Sequence, residues 1–277
     1  MTAFDLGDLK LLTDLIQDRF GITVQGVRQE ILARRLKPRL TELHLDSPRA
    51  YYEHLRFHPQ REAEFGRLAL MVTNNETYFF RETQQFDLIV SHVLPERRPS
   101  LQARPLRVLS AGCSSGEEPY SLAITLHNAG LPLSGIGWEI DGCDLNSDRI
   151  ARAKEAIYDE TSLRTCNTDT RRRYFTEEQQ RFRLRDRYRN GIRFFQSNLL
   201  EPNGQLGWSS YDVVLCRNLL IYFSESAFDR LIALFARCLL PGGYLFLGHS
   251  ESLIDRTTQF QPVVTGGAVI YRRVSSQ

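Results

Sequence analysis

Leu106-Arg107-Val108-Leu109-Ser110-Ala111-Gly112-Cys113-Ser114-Ser115-Gly116-Glu117-Glu118 decides how the rest of the chain is read. Leu106 to Leu109 is a short apolar run of the kind that forms a buried parallel strand. Small residues and glycines follow it. Tyr120, Leu122, Ala123, Ile124 and Leu126 then recur at helical spacing. A strand, a small-residue turn and a helix make the first unit of a nucleotide-binding α/β sheet, in which the glycines let the backbone pass close to a ligand. The bland alternative is an ordinary α/β turn with nothing bound.

Two details narrow the ligand. The turn is not G-x-G-x-x-G, which counts against a pyrophosphate seat. It also runs into Glu117 and Glu118, and carboxylates at a helix start repel phosphate. They suit a positively charged ligand, and an adenosyl cofactor with a sulfonium and an amino group fits better than NAD. Trp138 to Asp144 reads as the next strand. An acidic residue at such a strand end accepts hydrogen bonds from ribose hydroxyls, and Asp144 holds that place. Its alternative role is helix capping, although Asn146 and Ser147 stand ready for that job. Asp141 reads as a solvated strand residue.

Composition excludes several classes. The chain has 277 residues, 42% hydrophobic and 25% charged, so it can bury one large core or two domains. A net charge of +2 implies no global attraction to a polyanion. The five cysteines, Cys113, Cys143, Cys166, Cys216 and Cys238, are odd in number and widely spaced, which reads as buried free thiols in a reducing compartment and not as a zinc site. Met1 to Lys10 lacks the apolar core of a signal peptide, and no apolar run reaches membrane-spanning length. The expectation is a cytoplasmic protein with no membrane insertion and no metal.

Around the central stretch, residues 1–72 read as four helices, the third capped by Ser47. The second, from Arg28 to Leu43, is basic on one side through Arg28, Arg34, Arg35, Lys37 and Arg39. Such a face is either simply solvated or a dock for an acidic helix. Residues 73–104 read as a linker. Thr73 to Glu82 is a dense polar cluster against three aromatics and an arginine, either lining a cleft or anchoring the linker through Phe79 and Phe80. A helix from Phe86 is expected to stop at Pro95. Residues 105–277 form the α/β domain, with a helix from Leu145 to Ile157 and a small antiparallel β-subdomain about 174–193 that turns at Asn190-Gly191. Strands follow at 192–195, 211–216 and 244–247, with a helix at 228–240 stopped by Pro241-Gly242-Gly243, and a final hairpin turns at Gly266-Gly267. Asn198, Arg217 and Asn218 lie at strand carboxyl ends, where open sheets bind ligands.

Three stretches then fit one family. Thr73-Asn74-Asn75-Glu76-Thr77-Tyr78-Phe79-Phe80-Arg81-Glu82, Ser110 to Ser121, and Cys216-Arg217-Asn218-Leu219-Leu220-Ile221-Tyr222-Phe223 resemble, in order, the linker, cofactor-loop and third signatures of the CheR family of chemotaxis receptor methyltransferases. The resemblance implies a class I methyltransferase fold, Rossmann-like with a seven-stranded mixed sheet ending in a β-hairpin, behind an all-α N-terminal receptor-recognition domain. It implies S-adenosylmethionine as cofactor and S-adenosylhomocysteine as product. Asn75, Thr77 and Arg81 would contact the cofactor from the linker, Ala111 and Glu117 its amino-acid end, and Asp144 its ribose. Asn198 and Leu199 would flank the adenine, and Arg217 and Asn218 would close the site. Arg81 and Tyr222 would orient the acceptor, a glutamate carboxylate on a chemoreceptor's cytoplasmic helical bundle, and the basic helix would lie along that bundle. Some members bind a receptor tail peptide on the β-subdomain; here the section from Phe182 to Gly191 is compact and argues against it. A monomer suffices. Rival readings are a methyltransferase for a nucleic acid or small molecule, kept open by Arg171 to Arg193, and a non-catalytic cofactor-binding module.

Overall fold

The apolar periods of the first 72 residues become helices that bury one stripe each. In the computed structural model, which describes residues 4, 6–73, 76–202 and 204–274, these are α1 (Leu6–Phe20), α2 (Val27–Glu42), α3 (Pro48–Phe57) and α4 (Arg61–Val72). Leu12, Ile16, Leu32, Leu36, Tyr51, Leu55 and Leu68 are buried among them. Ser47 caps α3 as its sequence predicts, its Oγ accepting the Ala50 N–H at 3.1 Å. By its contacts the chain divides into two units: Met1–Asn75 with Leu220–Leu231, and Glu76–Leu219 with Ile232–Gln277. The helical unit therefore takes in a short segment that the linear domain reading leaves with the sheet.

The second unit is built on a seven-stranded sheet. Its strands are β1 (Leu106–Ala111), β2 (Trp138–Asp144), β6 (Ile192–Gln196), β7 (Tyr211–Cys216), β8 (Leu239–Leu247), β9 (Phe260–Thr265) and β10 (Ala268–Arg273), ordered β6-β2-β1-β7-β8-β10-β9. β1, β2, β6, β7 and β8 run parallel, and β10 joins β8 antiparallel. The apolar runs of β1 and β7 are buried almost throughout, as strands covered on both faces must be. The last hairpin turns at Gly266-Gly267, both with positive φ, the conformation a two-residue turn demands. Between the strands lie α7 (Glu117–Asn128), α8 (Ser147–Glu155), α9 (Thr168–Tyr174) and α10 (Glu225–Cys238).

Four local expectations change. The helix from Phe86 does not stop at Pro95. It runs as α5 (Thr83–Leu88), a π-turn (Ile89–Val93) and α6 (Leu94–Leu101), because the widened turn spares the ring of Pro95 its clash with a carbonyl one turn back. Ile157–Tyr158 is strand β3, not helix end, because Ala156 turns left-handed at φ 56°. β3 joins β4 (Phe175–Glu178) and β5 (Arg181–Leu184) in a separate sheet of order β3-β5-β4. Its hairpin turns at Gln179-Gln180, φ 48° and 64°, while Asn190-Gly191 instead leads into β6. Pro241-Gly242-Gly243 lies inside β8, at a register shift between the Tyr211–Leu239 and Val213–Tyr244 pairs, and α10 already ends at Cys238. All five cysteines are buried and free.

Candidate active site

The strand order fixes where a ligand can sit. From β1 the chain steps outward to β2 and then β6, and crosses back to β7 on the other side of β1. The carboxyl ends of the strands at that reversal open a crevice. After β1 the N–H groups of Gly112 and Cys113 both donate to the Cys143 carbonyl, at 2.8 and 3.0 Å, which ties the loop to the end of β2. Gly112 has φ +77°, and a Cβ there would stand 2.9 Å from the Leu219 side chain. The left-handed backbone favours glycine, and a side chain here would also have to push the Leu219 methyl groups aside.

Asp144 holds this loop. Its Oδ2 accepts the Ser114 N–H and its Oδ1 the Asn146 N–H, each at 2.9 Å. Capping of α8 falls to Asn146, whose Oδ1 accepts from the N–H groups of Asp148 and Arg149. The two readings of Asp144 are thereby separated: its neighbour caps the helix. Burial pushes the Asp144 carboxyl up, against the pull of the Asn146 and Ser114 N–H groups. The Ser197 N–H donates to the Asp144 carbonyl at 2.9 Å. The hydroxyls of Ser114 and Ser197 are both buried with no hydrogen-bond partner among the described residues. Buried polar atoms are normally paired, so two unpaired hydroxyls on residues whose backbones bond to Asp144 are candidates for contacts with a polar ligand.

Glu117, the first residue of α7, is only 1% exposed. Its carboxylate accepts from Ser115 Oγ at 2.9 and 3.1 Å and from Ser162 Oγ at 2.8 Å. No cation lies within ion-pair distance of it among the described residues; burial pushes its pKa up, opposed by its hydrogen bonds and the more distant charge of Arg149. A buried carboxylate without an ion-pair partner gains most from a cationic ligand. Ala111 is buried at the end of β1. Beyond β6, Asn198 Oδ1 accepts the Leu200 N–H at 3.1 Å, and Leu199 is buried.

Arg217, at the end of β7, has a side chain only 2% exposed. It donates to Glu118 at 3.0 Å and to the Arg81 carbonyl at 2.5 Å, lies 3.3 Å from Glu82, and keeps an unpaired Nε. Ser110 Oγ donates to the other oxygen of Glu118 at 2.7 Å. Burial opposes ionisation of Glu82, but the charge of Arg217 and the contact with His249 outweigh it and hold the carboxyl below its ordinary range. Asn218 is left-handed at φ 56°, and its N–H donates to Glu251 at 2.9 Å. The linker is anchored by Phe79, which is buried edge-on against Tyr158 and Phe175 with ring centroids 4.8 and 4.9 Å away. Arg81 donates to the Glu76 carbonyl at 3.0 Å, and Thr77 is half-buried. Asn75 lies outside the described residues.

Thus Asp144, Glu117, Ala111, Asn198, Leu199, Arg217, Asn218 and Arg81 all belong to the α/β unit, at or beside its strand ends. Tyr222 belongs to the helical unit, its carbonyl accepting the Thr23 N–H at 2.8 Å. The basic side of α2 is not uniform. Arg39 pairs with Glu64 and Glu42; Arg35 donates to the Met71 and Thr73 carbonyls at the end of α4; Arg28 donates to the Ile221 carbonyl. Arg34 is exposed, and the Lys37 ammonium lies 5.4 Å from the Phe4 ring centre. Asp141 is not solvated: it is buried, accepts from Arg193 through both oxygens at 2.8 Å and from the Tyr211 hydroxyl at 2.6 Å. The β2–β6 register puts Asp141 opposite Arg193. Sequence reasoning assigned no role to Ser114, Ser197 or Glu82. The serines carry no charge pattern, and only the adjoining Arg81 hinted at Glu82. Among the described residues no cluster of His, Cys, Asp and Glu has the arrangement of a metal site, and no helix is long and apolar enough to cross a membrane.

Comparison with known proteins adds a family. The model described as "CheR methyltransferase, SAM binding domain" matches residues 75–268, and "CheR methyltransferase, all-alpha domain" matches residues 7–72. The chain is 34% identical over 94% of its length to a probable biofilm formation methyltransferase, WspC, of Pseudomonas aeruginosa, of which it spans 61%. It is 31% identical to chemotaxis protein methyltransferase 1 of Vibrio cholerae, over 98% of this chain and 99% of that one. With chemotaxis protein methyltransferase 1 of Pseudomonas aeruginosa it shares 31% identity over 96% of this chain and 97% of that one.

Proposed function

The chain belongs to the CheR methyltransferase family, a family of S-adenosylmethionine-dependent enzymes, and from that membership we propose that it methylates glutamate side chains of chemoreceptor cytoplasmic domains. The product is a glutamate γ-methyl ester, and the pathway is chemotactic adaptation. The protein acts in the cytoplasm as a monomer, without nucleic acid and without a receptor tail peptide. One observation supports the reading: at the switch point of the sheet, Asp144 is bonded to the backbone of Ser114 and Ser197, whose buried hydroxyls are unpaired among the described residues, and Glu117 lies buried with no ion-pair partner among them. That set fits a ligand bearing hydroxyls and positive charge.

S-adenosylmethionine, when bound, supplies a methyl group on a positively charged sulfur that leaves as a neutral thioether. The chain's residues bind and align. Asp144 accepts from the ribose, and Ser114 and Ser197 offer their free hydroxyls beside it. Glu117 meets the positively charged amino-acid end. Asn198 and Leu199 flank the adenine, Thr77, Arg81 and Asn75 reach the cofactor from the linker, and Ala111 leaves the backbone open to it. Arg217 holds Glu82, Glu118 and the linker carbonyl of Arg81 in one cluster, and Asn218 shapes its rim. The acceptor glutamate has an ordinary pKa of about 4.3 and is ionised at neutral pH, so no general base is required. By the family resemblance, Arg81 and Tyr222 would orient its oxygen toward the methyl group, a positioning effect that supplies on the order of several kcal/mol of the barrier. With the cofactor bound, transfer would form one O–C bond and break one C–S bond, with no proton moved. Receptor docking falls to the basic side of α2, through Arg34 and Lys37, while Arg28, Arg35 and Arg39 are held by partners within the helical unit.

The test is transfer of radiolabelled methyl from S-adenosylmethionine to receptor-containing membranes of the source organism, scored as base-labile label in the receptor band. Label that disappears with Arg81→Ala or Asp144→Ala supports the reading. Cofactor binding without any receptor label would overturn the acceptor.

A further inference from the structure

Arg28 sits in the basic series of α2, but its surroundings in the helical unit give it a different task. The segment around Tyr222 is gripped by the loop that joins α1 to α2. Ile22 and Phe223 form an antiparallel bridge, the Thr23 N–H donates to the Tyr222 carbonyl and the Ser224 N–H to the Gly21 carbonyl, both at 2.8 Å. Arg28 adds the side-chain half of this grip. Both of its Nη groups donate to the Ile221 carbonyl at 3.2 Å, and its guanidinium carbon lies 4.5 Å from the centre of the Tyr222 ring. It is half-buried and has no carboxylate partner among the described residues, whereas a docking arginine would stand free like Arg34. A planar, delocalised fork can donate twice to one carbonyl and still lie over a ring; an ammonium cannot do both. The arginine projects from the first turn of α2, whose start is fixed by left-handed Gly26. The same cation thus constrains the main chain before Tyr222 and the face of its ring.

We propose that Arg28 is a positioning residue for Tyr222, fixing the direction of its phenol, and that it is not a receptor-docking contact. This rests on the reading above that Tyr222 orients the acceptor carboxylate. Docking is then left to Arg34 and Lys37.

The experiment is a kinetic double-mutant cycle on the full chain with labelled cofactor and receptor membranes, using Arg28→Ala, Arg28→Lys and Tyr222→Phe, with Arg34→Ala as the comparison. The expected result is a kcat about tenfold lower in Arg28→Ala, of the size that small misplacements of reacting groups produce. KM for receptor and cofactor Kd by calorimetry should stay within about twofold, and Arg28→Lys should recover only part of the loss. In the Tyr222→Phe background, Arg28→Ala should cost almost nothing further. A rise in receptor KM at unchanged kcat, the pattern expected of Arg34→Ala, would return Arg28 to the docking face. Full additivity with Tyr222→Phe would equally overturn the proposal. Should Arg28→Ala fail to fold, the cycle with Arg28→Lys decides in the same way. If the wild-type chain labels no receptor at all, it is the acceptor reading that fails; if it does and Arg28→Ala matches it, only the positioning role fails.

Discussion

Two buried carboxylate sites, one in each unit, are built in opposite ways. Glu64 in the helical unit is met by Arg39 through two hydrogen bonds, at 2.8 and 2.5 Å, and by the Tyr51 hydroxyl at 2.7 Å. Burial opposes its ionisation, but Arg39 and Tyr51 outweigh that and hold it below the ordinary range. Glu117 and Asp144 in the α/β unit receive only hydroxyls and backbone N–H groups, and burial holds both above theirs. A carboxylate whose counter-charge comes from its own fold is finished, and its role is structural. One left without an ion-pair partner, its burial opposed only by hydrogen bonds and the more distant charge of Arg149, gains most from a ligand.

The largest effect should come from Glu64→Gln. The change leaves Arg39 charged, its side chain 13% exposed, without its main partner. Removing one half of a buried pair costs about 3–5 kcal/mol. Urea denaturation followed by helical circular dichroism should register that loss while the Kd for S-adenosylmethionine stays unchanged. A cost below about 1 kcal/mol, the worth of a surface pair, would break the comparison. Asp144→Ala should do the reverse. Two charge-assisted hydrogen bonds to the ribose are worth about 3 kcal/mol together, or roughly a hundredfold in cofactor Kd. Calorimetry that finds Kd within about threefold of wild type would remove Asp144 from the site.

The difference between the sites also explains what could be read beforehand. Glu117 and Asp144 stand next to a small-residue turn and at a strand end, so local pattern points to them without a partner being known. The Glu64 triad joins α2, α3 and α4, and Asp212 meets Arg104 across 108 residues at 2.7 Å. No local period records such pairings. Asp141 was misjudged for the same reason, since its burial comes from Arg193 and Tyr211 on other strands. The central strands β1 and β7 were legible because each is a largely apolar run, followed by small residues after β1 and by Arg217 and Asn218 after β7. The β-subdomain was legible only in part, because its turn uses Gln179-Gln180 in a conformation that glycine or asparagine would have announced.

A third effect sharpens the comparison through pH. In the ligand-free chain the Glu117 pKa lies above 4.5, and a cationic ligand favours the ionised form. Cofactor affinity should therefore rise as pH climbs toward that raised pKa and level off above it, by at most about tenfold per pH unit. Glu117→Gln should flatten the profile; a slope that survives the substitution would assign the proton elsewhere. Stability carries the opposite signs at the two sites. The raised Glu117 costs stability above its unfolded pKa, so acidification relieves it. The lowered Glu64 contributes stability above 4.5 that is lost as pH falls through its folded value. Ligand-free Glu64→Gln should accordingly lose less stability on acidification than the wild-type chain.

The smallest effect tests whether neighbours divide their work as the hydrogen bonds imply. Asn146 caps α8 through Asp148 and Arg149, while its own N–H supports Asp144 at 2.9 Å. Asn146→Ala deletes the cap and keeps that N–H. It should cost about 1 kcal/mol of stability, the usual worth of a helix cap, and move cofactor Kd by no more than about threefold. Asp144→Ala should move Kd far more than it moves α8. If both variants weakened cofactor binding equally, the carboxylate would be acting through the helix start, as the capping alternative supposes. If only Asp144→Ala does so, the contact is with the ligand itself, and Asn146 serves the site only through the N–H it gives to Asp144.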